Sequence, residues 1–335
     1  MNISTYIQDN SFPNTAGFDI KDVSWLTLSP DGTELYLLQR GLPCVSVWDL
    51  NGNHLRDWDT NELACPHSLK FQVIQGGGYR IWITDMASPS MTGDLCGHCI
   101  KQFDTSGNYL GSIGVCGENS EGTGVNPVQF DKVTDVSFDS GGYMWVTDGD
   151  LNGLNNRVLQ INPLTQEVVQ EWSAPNNLPG SGPKEFHLPH SIDVDDLNRV
   201  WVADALNNRV QIIGTDGTFL QELKCFGSDG VYGVRVRRDP STGLMQLYVT
   251  TSPTNNPTGG VVKIFPVAQH GIPVPDNCFA EYEWSIHLQQ GTSTGMLHMI
   301  DATSNGQQLF IATLGGDLRP QKWIKVYEPD EDSPA

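Results

Sequence analysis

Short runs of alternating apolar and polar residues, separated by turn-forming residues, recur along the whole chain. Residues 130–163 and 186–217 share one order: a strand, a turn, a second strand of the type W-V-x-D, and a third strand that opens with NNRV. Strict alternation over four to eight residues is typical of a half-buried β-strand. No 12-residue window shows a convincing helical period, so we expect few helices.

This unit repeats six times. A third copy spans residues 65–85 and is completed after an insertion, and weaker copies begin near residues 23, 231 and 297. Repeated units of three or four short strands are typical of propeller blades. We therefore predict an all-β, six-bladed β-propeller that forms a single domain over residues 1–335, with residues 1–22 and 318–335 available to close the ring. The blades are expected near residues 23–60, 65–114, 130–172, 186–224, 231–266 and 282–327.

Composition limits the partners and the location. The chain has a formal net charge of −20 and a pI near 4.5, so its surface field repels nucleic acids and anionic membranes. No apolar window is long enough for a membrane span, and the N-terminus does not look like a secretory signal. Seven cysteines at irregular spacing do not suggest a disulfide framework. We expect a cytoplasmic protein with a small-molecule substrate, and the sequence indicates no protein partner.

The residue at the entrance to the first strand of each unit is histidine in alternate units. These six entrance residues are Ser24, His67, Thr134, His190, Tyr232 and His298. First strands line the channel of a propeller, so three alternate members of the ring lie about 120° apart and converge on the axis. Three imidazoles in this arrangement can hold Zn²⁺ or another divalent ion. The alternative is that each histidine is an ordinary strand-end residue. No organic cofactor is expected.

Other residues of the predicted pocket follow from the same repeats. Arg40 ends the second strand of the first unit, so antiparallel pairing returns it to the height of the histidines. There it can bind a carboxylate, enolate or carbonyl oxygen, although a surface ion pair is an equal alternative. Ser24, Thr134 and Met299 are expected to line the pocket.

Two further features carry weaker expectations. The motif LCGHC at residues 95–99 is a Cys-x-x-Cys pair, but it falls in a loop rather than at a helix N-terminus, so we expect no redox role. The aspartate at the end of each W-[IV]-[TV]-D strand is expected to be structural. The insertions at 86–98 and 252–260 are candidate lids.

These motifs resemble the NHL-repeat propeller of peptidyl-α-hydroxyglycine α-amidating lyase over most of the chain, roughly residues 23–327. The resemblance matches the three metal-binding histidines of that family to His67 in CPHSLKF, His190 in LPHSIDV and His298 in MLHMIDA. It matches the family's catalytic arginine to Arg40 in LQRG. It therefore implies a zinc site and lyase activity.

The chain also departs from that family. After the sequence TDG, where the family has its catalytic tyrosine, the chain continues with Asp150 and Leu151. Met299 replaces the aspartate that follows the third histidine. The family's disulfide cysteines fall opposite Asp131, Leu151, Trp201 and Ile212, so those bridges are not retained. Tyr232 could replace the missing tyrosine as a catalytic group, although it lies in a different blade.

Three functions are compatible with these residues. The leading hypothesis is a cytosolic enzyme of secondary metabolism that carries out lyase-type or cyclisation chemistry in the axial pocket, of which a hetero-Diels–Alderase of tropolonic sesquiterpenoids is one example. Such a reaction needs oriented substrates and a polarised oxygen rather than a strong base. The alternatives are a zinc-dependent peptidyl-α-hydroxyglycine α-amidating lyase and a non-catalytic binding propeller.

Overall fold

The protein is built almost entirely of short antiparallel strands. The computed structural model describes residues 4–14, 17–18, 20, 22–58, 60–74, 76–86, 97–117, 124–255, 258–275, 278–290, 293–315 and 318–327. In chain order the first thirteen strands are β1 (Ser4–Gln8), β2 (Val23–Leu28), β3 (Glu34–Gln39), β4 (Val45–Asp49), β5 (His54–Asp57), β6 (Pro66–Val73), β7 (Tyr79–Asp85), β8 (Cys99–Phe103), β9 (Tyr109–Ile113), β10 (Val133–Phe138), β11 (Met144–Asp148), β12 (Arg157–Ile161) and β13 (Val168–Ser173).

The second half of the chain has the same character. Its strands are β14 (Pro189–Val194), β15 (Arg199–Asp204), β16 (Arg209–Gly214), β17 (Phe219–Leu223), β18 (Asp229–Arg238), β19 (Met245–Pro253), β20 (Gly259–Val267), β21 (Tyr282–His287), β22 (Gln289–Gln290), β23 (Ser293–Thr294), β24 (Met296–Ala302), β25 (Gln308–Leu314) and β26 (Gln321–Tyr327). In the described part of the chain the helices are two 3₁₀ turns, Pro175–Asn177 and Ala205–Asn207. The expectation of few helices is confirmed.

Hydrogen bonding groups the strands into sheets around an axis. Four sheets of four antiparallel strands stand separately: β2–β5, β6–β9, β10–β13 and β14–β17. The strands β18, β19, β20, β24, β25, β26 and β1 form one larger sheet, in which β21 also pairs with β20. The first strands β2, β6, β10, β14, β18 and β24 contact one another in a closed ring. The fold is therefore an all-β propeller.

The prediction of six separate blades is not confirmed, because four blades are separate and the remaining strands share one eight-stranded sheet. Two antiparallel runs in that sheet are joined by a single parallel pair, Gly259 with Met296. At Gly259 φ is +128°, and an added Cβ would lie 1.9 Å from the carbonyl oxygen of Ile286. A side chain at this position would clash with β21, so the residue at the junction of the two runs has to be glycine.

The ends of the last two predicted blades also differ from the structure. Residues 282–287, expected to begin the sixth blade, form β21 and pair with β20 of the preceding run. The N-terminal strand β1 pairs with β26. The N-terminal segment therefore contributes the outermost strand of the last run, which agrees with the expected closure of the ring.

Each first strand carries the same irregularity. In each unit the pairing of the first strand with the second skips one residue of the first strand. The six skipped residues are Ser24, His67, Thr134, His190, Tyr232 and His298. A bulge leaves one residue unpaired and re-aims its side chain. The six entrance residues therefore share one special backbone position.

The core lies between neighbouring sheets. Apolar residues pack there in several clusters, and four tryptophans are fully buried: Trp25, Trp48, Trp145 and Trp201. Inner strands such as β2 are buried on both faces, whereas burial alternates along outer strands such as β5 and β13.

One pair of cysteines is bonded, contrary to the expectation from their spacing. Cys99 begins β8 and Cys116 follows β9, and the β8–β9 hairpin brings their Cα atoms to 5.0 Å, where a disulfide forms. Cys99 therefore bonds outside the LCGHC motif, whose Cys96 lies outside the described residues. No helix in the described ranges is long and apolar enough to cross a membrane. The cytoplasmic location stays a prediction.

The aspartates that end the second strands form buried ion pairs. In three blades the carboxylate accepts hydrogen bonds from a cation on the third strand. It also accepts them from backbone N–H groups of the loop before the first strand. The closest oxygen–nitrogen distances are 2.6 Å for Asp85–Lys101, 2.9 Å for Asp148–Arg157 and 2.7 Å for Asp204–Arg209. Their contacts are structural.

Replacing Arg209 by leucine should destabilise the protein by about 3–5 kcal/mol, because Asp204 would remain buried without its cation. The exposed pair of Arg238 with Asp196 provides a matched control, and Arg238→Gln should cost no more than about 1 kcal/mol. Urea unfolding measures both values. Equal losses in the two variants would contradict a structural role for the buried pair.

Candidate metal centre

The structure brings the three predicted histidines together on the axis. His67, His190 and His298 are at most 2% exposed. One ring nitrogen from each can be chosen so that the three lie within 4.8 Å of one another, and the ring centroids are 4.6–5.0 Å apart. This compact arrangement follows from the shared bulge, which turns the same position of each first strand towards the channel.

Each imidazole is held by the next strand of the ring. The Nδ1 atom lies at hydrogen-bond distance from the backbone carbonyl oxygen of the neighbouring entrance residue: 2.8 Å for His67 and Thr134, 2.8 Å for His190 and Tyr232, and 2.5 Å for His298 and Ser24. A carbonyl oxygen only accepts, so Nδ1 must carry the proton. Nε2 then keeps its lone pair. In metal sites, a hydrogen bond of this kind from the other ring nitrogen orients a histidine ligand.

The serine and threonine of the ring complete this framework. Ser24 Oγ donates to the carbonyl oxygen of Pro66 at 3.1 Å, and Thr134 Oγ1 donates to that of Pro189 at 2.7 Å. Those prolines immediately precede His67 and His190. The two hydroxyls are fully buried and fix the backbone of the histidines. Their assignment to the substrate pocket stays a prediction.

Burial keeps the imidazoles neutral. Burial, followed by the charges of the other two histidines and Arg40, lowers the pKa of His67 well below its usual value. Burial, His190 and Arg40 lower the pKa of His298 in the same way. Burial also lowers the pKa of His190, although Asp150 opposes this shift. Neutral imidazole is the form that binds metal.

Arg40 lies close enough for its charge to act on all three imidazoles and on the thiol of Cys65. Its Nε atom is buried and has no hydrogen-bond partner. The guanidinium is therefore near the ring nitrogens of the three histidines, and its Nε donor is unused.

Tyr232 is also at the site. Its ring lies 5.0 Å from the His190 ring in an edge-on orientation. Burial and the nearby charge of Asp150 raise the pKa of its hydroxyl. Tyr232 is therefore protonated at neutral pH and can donate a hydrogen bond.

Met299 lies away from the ring mouth. It is fully buried, packs in the core with Trp25, and its sulfur is 3.8 Å from Ser191 Oγ. Met299 follows the bulged residue, so it belongs to the next layer of the channel. Its assignment to the substrate pocket stays a prediction, and its described contacts are with the core.

Asp150 and Cys65 also lie near the site, and neither had a role predicted from the sequence. The charge of Asp150 acts on His190 and Tyr232, and Cys65 lies within reach of the charges of both Arg40 and Asp150. The position of Asp150 could have indicated a role, since it stands where the resembled family has a catalytic tyrosine. Cys65 had no such signal.

The residues fit a divalent metal ion. His67 Nε2 is buried without a hydrogen-bond partner, and such an orphaned acceptor is costly unless a ligand satisfies it. Three neutral imidazoles with fixed tautomers provide the nitrogen donors that zinc prefers, and they leave further coordination positions open.

Sequence comparison identifies the class of protein. The NHL repeat model matches residues 186–213, which include β14, β15 and most of β16. The chain is therefore an NHL-repeat β-propeller. It is 33% identical to NHL repeat-containing protein 3 of Mus musculus over 253 residues, covering 71% of this chain and 68% of the mouse protein. The chain belongs to the family of NHL repeat-containing protein 3.

Two other proteins are more distantly similar. The Caenorhabditis elegans protein named "Probable peptidyl-alpha-hydroxyglycine alpha-amidating lyase pgal-1" is 30% identical over 154 residues, covering 44% of this chain and 36% of that protein. The structure of virginiamycin B lyase from Staphylococcus aureus aligns with a TM-score of 0.52 at 16% identity, covering 96% of this chain and 99% of the other. The second similarity shows the fold alone.

The purified chain should bind one zinc ion, and His190→Ala should lose it, because two imidazoles and open positions hold zinc less tightly than three. Elemental analysis after dialysis measures the zinc content. Zinc at 100 times its Kd should also stabilise the wild type by about 2.7 kcal/mol.

The control is His287→Ala, since His287 is exposed and lies outside the ring. This variant should retain zinc. Full zinc occupancy in His190→Ala would contradict the assignment of the site.

Proposed function

We propose that this protein is a metal-dependent enzyme that carries out lyase-type or cyclisation chemistry on a small organic molecule at the mouth of the histidine ring. One observation carries the proposal: a backbone carbonyl fixes Nδ1 of each of the three buried imidazoles, so that Nε2 is free for a metal. If these residues served only for packing, the buried His67 Nε2 without a hydrogen-bond partner would cost free energy with no compensating interaction.

Arg40 and the metal site would act on the same oxygen atom of the substrate. A divalent ion bound there supplies a Lewis acid that polarises a carbonyl or hydroxyl oxygen. The Arg40 guanidinium, which has an unused buried donor, binds that oxygen as negative charge develops on it. Arg40 is therefore the residue we assign to oxyanion stabilisation.

Tyr232 and Asp150 are assigned to proton transfer. Tyr232 keeps its proton at neutral pH because its pKa is raised, so it serves as a hydrogen-bond donor. The carboxylate of Asp150 lies close enough to act on both Tyr232 and His190, and it can accept a proton from a substrate hydroxyl. Asp150 thereby takes the place of the tyrosine found in the resembled lyases.

The rim of the mouth favours an apolar substrate. The loops that join second and third strands lie at the same end as the histidines, and they expose Leu42 (66%), Leu151 (60%) and Leu154 (55%). Exposed leucines around a polar site are typical of a pocket that binds a largely apolar molecule. Elimination or addition at an oxygen-bearing carbon, or a cyclisation such as a hetero-Diels–Alder reaction, fits this rim. The insertions at 86–98 and 252–260 remain candidate lids, although residues 87–96 and 256–257 lie outside the described parts.

A second candidate is the splitting of a hydroxyglycine-extended peptide into an amide and glyoxylate. It is favoured by the match of His67, His190, His298 and Arg40 to the amidating lyases and by the similarity to the nematode protein. In this reaction the substrate hydroxyl loses its proton, the carbon–nitrogen bond breaks, and the amide nitrogen gains a proton. Asp150 would have to provide the base.

If the chain is an amidating lyase, zinc-loaded protein should release glyoxylate from a hydroxyglycine-extended dipeptide. Arg40→Gln should lower kcat/KM about 100- to 1,000-fold, the usual cost of removing one oxyanion donor, and its zinc content should not change. The matched control is Arg80→Gln, because Arg80 lies on β7 away from the mouth.

The other outcomes separate the remaining functions. Zinc binding without glyoxylate release would exclude the amidating reaction and leave small-molecule lyase or cyclase chemistry, to be tested with apolar enones and quinone methides. A zinc-loaded chain that transforms none of these probes would contradict the proposal and favour a binding propeller.

A further inference from the structure

A cavity opens on the face of the propeller opposite the histidine ring. It has a volume of about 850 Å³ and lies at the other end of the axis, among the turns that join first and second strands. Lys70, Asp193 and Arg235 line its floor, and Arg237 lies at its side. No residue of the histidine ring lines this cavity.

Three cations and three carboxylates line this cavity in a strongly acidic protein. The chain carries only 19 Lys and Arg against 39 Asp and Glu, yet Lys70, Arg235 and Arg237 converge here. Lys70 and Arg235 are 5% and 1% exposed. Burial, and then the charge of Arg235, lowers the pKa of Lys70 to about 8, so an anion in the cavity would stabilise both cations.

The nearby carboxylates are mainly committed to joining first strands. Asp135 accepts from the N–H of Ile192 at 2.9 Å, Asp193 from that of Val236 at 2.8 Å, and Asp301 from that of Leu28 at 3.0 Å. Asp135 and Asp301 are fully buried and do not line the cavity. The carboxylates also pair with the cations: Asp135 with Lys70 at 3.2 Å, Asp193 with Arg235 at 3.4 Å and Asp301 with Arg237 at 2.5 Å. Asp31 and Asp139 line the cavity as well, and their carboxylates accept hydrogen bonds from N–H groups of their own turns.

Arg235 has an unused donor. Its Nη1 atom is 3.4 Å from Asp193 and its Nε atom is 3.5 Å from Asp301, whereas Nη2 is buried without a hydrogen-bond partner. A buried donor without an acceptor costs free energy that a ligand oxygen can recover. A planar guanidinium matches the two oxygens of a carboxylate.

The walls of the cavity are partly apolar. Phe71 and Phe138 line it and are half-buried. We propose that this cavity binds a small organic carboxylate, whose acidic group pairs with Arg235 and Arg237 and whose apolar body packs against Phe71 and Phe138.

Trp25 separates this cavity from the metal centre. Its ring is 6.1 Å from that of His67 and 6.5 Å from that of His298, and Lys70 Nζ lies 5.6 Å from it on the far side. Trp25 is fully buried. The two sites are therefore independent binding sites on one axis.

Isothermal titration calorimetry of the full chain with sodium benzoate tests the proposal. We expect saturable binding of one benzoate with a Kd on the order of 1 mM. Arg237→Gln should weaken it about tenfold, because a charged partner is lost, and neutral benzamide should not bind detectably.

Two variants serve as controls. Arg238→Gln removes the next arginine of β18, which pairs with Asp196 and does not line the cavity. Arg40→Gln alters the opposite mouth. Both should bind benzoate as the wild type does. If Arg237→Gln does not fold, Phe138→Ala provides the decisive comparison, and it should weaken benzoate more than acetate.

The proposal is overturned by any of four results: absence of saturable benzoate binding, equal binding of benzamide, equal effects of Arg237→Gln and Arg238→Gln, or loss of binding in Arg40→Gln. In the Phe138→Ala comparison, equal weakening of benzoate and acetate would also overturn it. None of these results depends on zinc or on catalytic activity, so failure here is distinct from failure of the proposed enzymatic function.

Discussion

The hydrogen bonds that pass from one first strand to the next around the axis position both ends of the channel. At one end, imidazoles and hydroxyls bond to backbone carbonyls of neighbouring strands, as in His190 with Tyr232 and Thr134 with Pro189. At the other end, aspartates such as Asp193 accept from the N–H groups of the following strand. Because these polar groups are buried, each must have a partner. The side chains of the axis are therefore held in single orientations.

Two exceptions to this rule lie at the two proposed ligand sites. His67 Nε2 at one end and Arg235 Nη2 at the other are buried without partners. The other ring nitrogen of His67 and the other two nitrogens of Arg235 contact groups on neighbouring first strands. A preorganised site of this kind binds its ligand with little further loss of conformational freedom. The layer of Trp25 and Met299 between the two ends keeps them apart.

Repetition made a large part of this architecture predictable. The propeller, the ring of six entrance residues and the convergence of His67, His190 and His298 follow from aligned units. The errors occur where the units differ. The pairing of β21 with β20 and the junction at Gly259 depend on a backbone approach that strand patterns do not describe. The Cys99–Cys116 bond depends on a hairpin that brings together two residues 17 positions apart in the sequence.

The sequence by itself determined the strand pattern and the residue type at the entrance of each unit, because alternation and repetition are properties of the chain. Only the tertiary structure decided which atoms of those residues form hydrogen bonds and which remain without a partner. The Nδ1 bonds, the charge of Asp150 at the mouth and the cluster of charges around Arg235 arise between strands distant in sequence. Such contacts depend on distances across the ring, and these exist only once the ring has closed.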